Sequence, residues 1–106
     1  MAEIEVKWDK CIADTGNMFF ELLTNIDTGE KGWAAYTQSD YIWYGDAVNK
    51  VFYIFSADDM RDYLLRHKKD YETRKAFDYN YKDGSIYKQS LGAIVPLSSF
   101  MMYYPV

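Results

Sequence analysis

Residues 3 to 9 read Glu3-Ile4-Glu5-Val6-Lys7-Trp8-Asp9, seven positions in strict polar and apolar alternation. Side chains of an extended chain point alternately to opposite faces, so this pattern predicts a strand with Ile4, Val6 and Trp8 on one side and Glu3, Glu5, Lys7 and Asp9 on the other. Few helical readings survive such a run, and the first element is therefore a strand. The charged face reads in two ways. It is a half-exposed face wearing solvated charges, or it is a carboxylate that holds a hard divalent cation two residues from an ammonium that orients water, as metal-dependent phosphodiester hydrolysis requires.

Further along, Asp14-Thr15-Gly16-Asn17 is turn chemistry, and Met18 to Leu23 is an apolar run broken only by Glu21. That run predicts a buried strand in a hairpin with the first, with Glu21 on the same face as Glu5 and Lys7, because an unpaired acid in the core is costly. A polar loop spans residues 25 to 32, Trp33 to Asp40 reads as a short helix or turn, and Tyr41 to Tyr44 and Val51 to Phe55 read as strands, the latter buried. Ser56-Ala57-Asp58-Asp59 has the hydroxyl and the acids of a helix start. The helix that follows carries Met60, Tyr63, Leu64 and His67 at helical spacing, with His67 expected in solvent, and Arg66, Lys68 and Lys69 load its last turn. Lys75 to Tyr81 alternates aromatics as a strand does, Ile86 to Val95 is a further strand, and Pro96 opens a terminal helix over Leu97 to Tyr103.

These elements predict an α+β fold in a single domain over residues 1 to 106: a mixed, mostly antiparallel sheet of about four to six strands with a helix from Ala57 packed on one face. The longest apolar stretch is far short of a bilayer span, so no membrane is expected. With no basic and apolar leader and with Cys11 as the single cysteine, the chain reads as cytoplasmic and free of disulfides. One histidine, His67, makes a zinc site a poor expectation. Aromatic residues form 19% of the chain, which calls either for packing in a small sheet domain or for a surface that grips bases or a protein. Charge is uneven: residues 1 to 56 carry 4 basic and 9 acidic side chains, and six of the eight basic residues beyond them fall between Arg61 and Lys75. Arg66, Lys68, Lys69, Arg74 and Lys75 are accordingly the candidate nucleic-acid contacts.

The order of these pieces resembles a family. Glu5-Val6-Lys7-Trp8-Asp9, then Thr15-Gly16-Asn17 with Phe19-Phe20-Glu21, then Gly32-Trp33 with Thr37 and Ser39-Asp40-Tyr41, is similar to the small phage-borne members of the PD-(D/E)XK nuclease superfamily over roughly residues 4 to 56. The resemblance implies a restriction-endonuclease-like core and metal-dependent hydrolysis of DNA. It makes Glu5, Lys7 and Glu21 the catalytic candidates. Glu5, Asp9 and Glu21, with the carbonyl of Val6, become ligands of Mg²⁺ or Mn²⁺, and Lys7 the group that orients the attacking water. The family's defining Asp stands upstream of the E-x-K strand, and only four residues precede Glu5 here. Gln38 and Ser39 also replace a common Lys and Ala. Asp9, Asp14 or Glu21 then substitutes for the missing ligand, a second subunit completes the site, or the fold serves binding.

Two functions remain from this reading. One is a metal-dependent nuclease of a phage or mobile element acting on DNA. The other is a catalytically degenerate acidic binding protein that engages or inhibits a host nucleic-acid-binding or defence protein, of the anti-CRISPR or anti-restriction type. A homo-oligomer using its aromatics at a subunit interface is a third expectation.

Overall fold

In the computed structural model, residues 2–80 and 82–105 are described. The chain runs β1 (Ile4–Asp9), α1 (Ile12–Thr15), β2 (Asn17–Asn25), β3 (Glu30–Lys31), α2 (Trp33–Tyr36), β4 (Tyr41–Asp46), β5 (Val51–Ser56), α3 (Ala57–Arg66), a 3₁₀ turn at Lys68–Asp70, β6 (Glu72–Tyr79), β7 (Ile86–Pro96) and α4 (Leu97–Tyr103). The α+β class and the helix starting at Ala57 are as the sequence predicts. The strands, however, form two sheets rather than one: a three-stranded sheet in the order β1-β4-β5 and a four-stranded sheet in the order β3-β2-β7-β6.

The expected hairpin of the first two strands does not form. After β1, Oδ1 of Asp9 accepts the N–H groups of Cys11 (2.6 Å) and Ile12 (3.1 Å), which starts the single turn of α1. Gly16 ends it in the left-handed region at φ 70°, a conformation glycine adopts at little cost. This helical turn sends β2 into the second sheet, where Met18 stands opposite Val95 and Phe20 opposite Ala93 of β7. β1 pairs instead with β4, in parallel, from Ile4 beside Tyr41 to Asp9 beside Asp46. Parallel strands need a long crossover, and here residues 10 to 40 supply it.

β4 and β5 form a true hairpin. Asp46 ends β4 and folds the turn onto itself, its Oδ1 accepting the N–H groups of Val48 and Asn49, both at 2.9 Å. Lys50 closes the turn at φ 59°. Next, Ser56 caps α3 as its sequence predicts, its Oγ accepting the Asp59 N–H at 3.0 Å. Met60 and Tyr63 bury the inner face of α3. His67, expected in solvent, is half-buried and stacks on Tyr103 with ring centres 3.8 Å apart, because α4 returns across the end of α3.

The core lies between the two sheets and is built around Phe20. Its ring meets Trp33 at 5.7 Å, Tyr44 at 6.1 Å, Phe55 at 5.9 Å and Phe100 at 6.2 Å, so one side chain joins β2, α2, β4, β5 and α4. Edge-to-face geometry at Trp33 and Phe100 adds to the area each ring buries. Much of the aromatic content is thus packing. On the other side of β2, the Phe19 ring lies over Gly92, where an added Cβ falls only 1.7 Å from a ring carbon.

Phe20→Ala is expected to lose about 3–5 kcal/mol of unfolding free energy in a chemical denaturation curve, since it opens a cavity shared by both sheets. Gly92→Val is expected to lose about 1–3 kcal/mol by overpacking against Phe19. Equal stability of either variant and the parent would contradict this packing.

Candidate functional site

On β1 the alternation read from the sequence is present, but its direction is the reverse of an amphipathic strand. Glu5, Lys7 and Asp9 are the half-buried positions, and Ile4, Val6 and Trp8 are exposed. β1 is an edge strand, so its inner face borders the core instead of sealing it. That is why charged side chains are tolerated there, and inward charges also discourage further pairing at an edge.

Each inward charge has its own surroundings. Glu5 stands beside buried Ile42 of β4. Nζ of Lys7 lies 5.3 Å from the centre of the Trp33 ring, a cation over an aromatic face. Asp9 is the most engaged. Besides starting α1, it accepts through Oδ2 a short hydrogen bond from the Tyr44 hydroxyl. The Tyr44 oxygen in turn accepts the N–H of Phe19 at 2.8 Å. Burial, and then the hydrogen bond to the Asp9 carboxylate, hold the Tyr44 phenol well above the ordinary tyrosine range.

The structure does not bring Glu5, Lys7 and Glu21 onto one sheet face. Glu21 belongs to the other sheet and alternates with Phe20, so it leaves β2 on the side away from the core, where Phe19 also lies. Its carboxylate accepts the Thr24 hydroxyl at 2.7 Å. Against Glu21 lies Gly32, where an added Cβ would fall 2.6 Å from the Glu21 Cγ. Asp14 sits exposed in α1.

The residues expected to hold Mg²⁺ or Mn²⁺ are therefore dispersed. Both oxygens of Asp9 are engaged, Glu21 is in another sheet, and among the described residues no three His, Cys, Asp or Glu side chains group closely enough to hold a metal ion. Glu5, Asp9 and Glu21 do not make a fitting donor set.

The basic residues are spread over three elements. Arg66 ends α3 and pairs with Asp62 at 2.7 Å, while Lys68 and Lys69 form the exposed 3₁₀ turn. Arg74 and Lys75 are on β6, where Arg74 pairs with Glu72. As neighbours on a strand, Arg74 and Lys75 project to opposite faces, so the five do not form one ridge.

The feature that the sequence reading missed is the outer face of the three-stranded sheet. Register places Ile4 beside Tyr41 and Ser56, Val6 beside Trp43 and Ile54, and Trp8 beside Gly45 and Phe52, all on one side. None of these nine positions is charged. Trp8 is 57% exposed, and Ile4, Val6, Tyr41, Phe52 and Ile54 are exposed as well, although Val51 to Phe55 reads as a buried run. Trp8 and Phe52 lean together over Gly45, with ring centres 4.6 Å apart, and an added Cβ on Gly45 would strike both rings. The exposed area is on the order of 600 Å², at or above the largest apolar patch of an ordinary monomer. The signal was present in the apolar half of residues 3 to 9, at Ile4, Val6 and Trp8. Compared with protein families, curated proteins and solved structures, the chain matches none.

Tyr44→Phe is expected to cost about 1–3 kcal/mol, because it leaves the Asp9 carboxylate and the Phe19 N–H without their shared partner. Its pH signature follows from the raised phenol. The folded form keeps the proton that the unfolded chain gives up near pH 10, so this contribution is complete below about pH 10 and is lost as pH rises beyond it. Denaturant titrations between about pH 8 and 11 are expected to show a shallower alkaline loss of stability in Tyr44→Phe than in the parent. Identical alkaline slopes would remove Tyr44 from this role.

Proposed function

We propose that this protein acts by binding another protein through the outer face of its three-stranded sheet, and that the partner is a nucleic-acid-binding or defence protein of a host. The observation that carries the reading is the uncharged face of Ile4, Val6, Trp8, Tyr41, Trp43, Phe52 and Ile54, left open on a strand that turns its charges inward. Aromatic side chains at the centre of such a patch are the usual anchors of affinity. Charge supports the choice of partner. The chain has a net charge of −4, and Glu3 and Asp40 stand exposed at one end of the face, joined by a 2.9 Å hydrogen bond from the Glu3 N–H to the Asp40 carboxylate. A protein that binds nucleic acid offers the complementary basic surface.

A nuclease is the second reading, favoured by the half-buried Glu5 and Lys7 two residues apart on β1. In that reading Arg66, Lys68, Lys69, Arg74 and Lys75 contact DNA, and the cation is Mg²⁺ or Mn²⁺. The dispersed carboxylates weigh against it.

Surface plasmon resonance against a panel of purified restriction and CRISPR effector nucleases, with and without DNA, tests the first reading. Trp8→Ala and Phe52→Ala are each expected to weaken binding by about thirtyfold, as hot-spot truncations do. Binding by no member, or binding indifferent to both substitutions, would sink it. Cleavage of branched, single-stranded or duplex DNA that requires Mg²⁺ or Mn²⁺ and is lost in Glu5→Ala and Lys7→Ala would put the nuclease in its place.

A further inference from the structure

β6 is the terminal strand of the four-stranded sheet, paired with β7 on one side and, among the described residues, with nothing on the other. All eight of its residues, Glu72–Tyr79, are exposed. A strand of this length with a free edge is a template for pairing with another chain. We propose that the occupant is a second copy of the same strand, antiparallel about a two-fold axis at Ala76, with Arg74 opposite Asp78 of the second copy.

Register selects this arrangement. In an antiparallel ladder, opposed residues both turn their N–H and C=O groups toward the partner or both away from it, so two copies of one strand pair only in registers centred on a residue. Two such registers overlap the most of β6. Centring on Lys75 puts Lys75 against Lys75 and Glu72 against Asp78 twice, all like charges. Centring on Ala76 puts Arg74 against Asp78 twice, Lys75 against Phe77 and Thr73 against Tyr79, with the small alanine on the axis. Centring on Arg74 stacks arginine on arginine over a shorter overlap, and centring on Phe77 leaves Arg74 unmatched. The pairing joins charges that are already placed. Arg74 bonds Glu72 and the Asp78 carboxylate lies 3.5 Å from Nζ of Lys88, so each cross-copy contact extends an ion pair into a network. Two four-stranded sheets become one of eight strands, and Phe77 and Tyr79 gain neighbours across the new ladder. The inference is independent of the aromatic face, which belongs to the other sheet.

Sedimentation across a range of concentrations tests it, with hydrogen exchange of residues 73–79 as a second measurement. The parent is expected to dimerise, with exchange in β6 slowing as the dimer forms. Arg74→Asp and Asp78→Arg are each expected to weaken association about tenfold, since two attractive contacts become repulsive. The double variant is expected to recover most of that loss, which a merely misfolded strand would not do. A parent that stays monomeric at its highest soluble concentration overturns the proposal. So does a dimer indifferent to the single reversals, a double variant that fails to recover, or a dimer lost in Trp8→Glu and kept in Arg74→Asp.

Discussion

Tyr44 joins the two sheets at a point where hydrophobic contact alone would leave their relative position loose. Its hydroxyl donates to Asp9 on β1 and accepts from the Phe19 backbone on β2, while its ring packs on Phe20. One side chain thus ties the parallel pair of the first sheet to an inner strand of the second. Burial makes the link directional. With the Tyr44 side chain closed to water, its hydroxyl depends on Asp9 and Phe19 for its hydrogen bonds, and leaving it unpaired carries a desolvation cost. Asp9 also opens α1, so the turn that separates β1 from β2 and the bridge that reunites them use a single carboxylate.

That use of Asp9 bears on the chemistry. A carboxylate whose oxygens serve a helix start and a buried phenol is committed to structure, and it is poorly suited to gain and lose a cation. Glu21, in the other sheet, is committed to Thr24. Glu5 and Lys7 keep the spacing that invites a catalytic reading, without a group of three His, Cys, Asp or Glu side chains among the described residues to hold a metal ion there. What the fold concentrates is instead apolar surface, on the side of β1 opposite these charges.

The inversion of β1 has a physical origin in its place at a sheet edge. A central strand with this pattern would bury Ile4, Val6 and Trp8, because burying a charge without a partner costs more than exposing a methyl group. At an edge, Lys7 reaches the face of Trp33 and Asp9 reaches Tyr44, so the charged side is accommodated at the border of the core. The apolar side then faces outward beside Trp43, Phe52 and Ile54, giving an aromatic plate with hardly any polar interruption.

By itself the sequence determined the local elements, since these follow from interactions close in the chain. The alternation from Glu3 to Asp9 made a strand, Ser56 with Asp59 set the first turn of α3, Pro96 preceded α4, and the run from Ile86 to Val95 lay in β7. Tertiary structure decided which strands are neighbours and which face of each strand is inside. The hairpin expected of the first two strands gave way to a parallel pair of β1 with β4, and a run as apolar as Val51 to Phe55 became an edge strand with Phe52 and Ile54 exposed. Periodicity reports which residues share a face, and it carries no sign that says which face meets the core. That sign is set by strand order, and strand order depends on contacts such as Asp9 with Tyr44 and Phe20 with Phe100, between residues far apart along the chain.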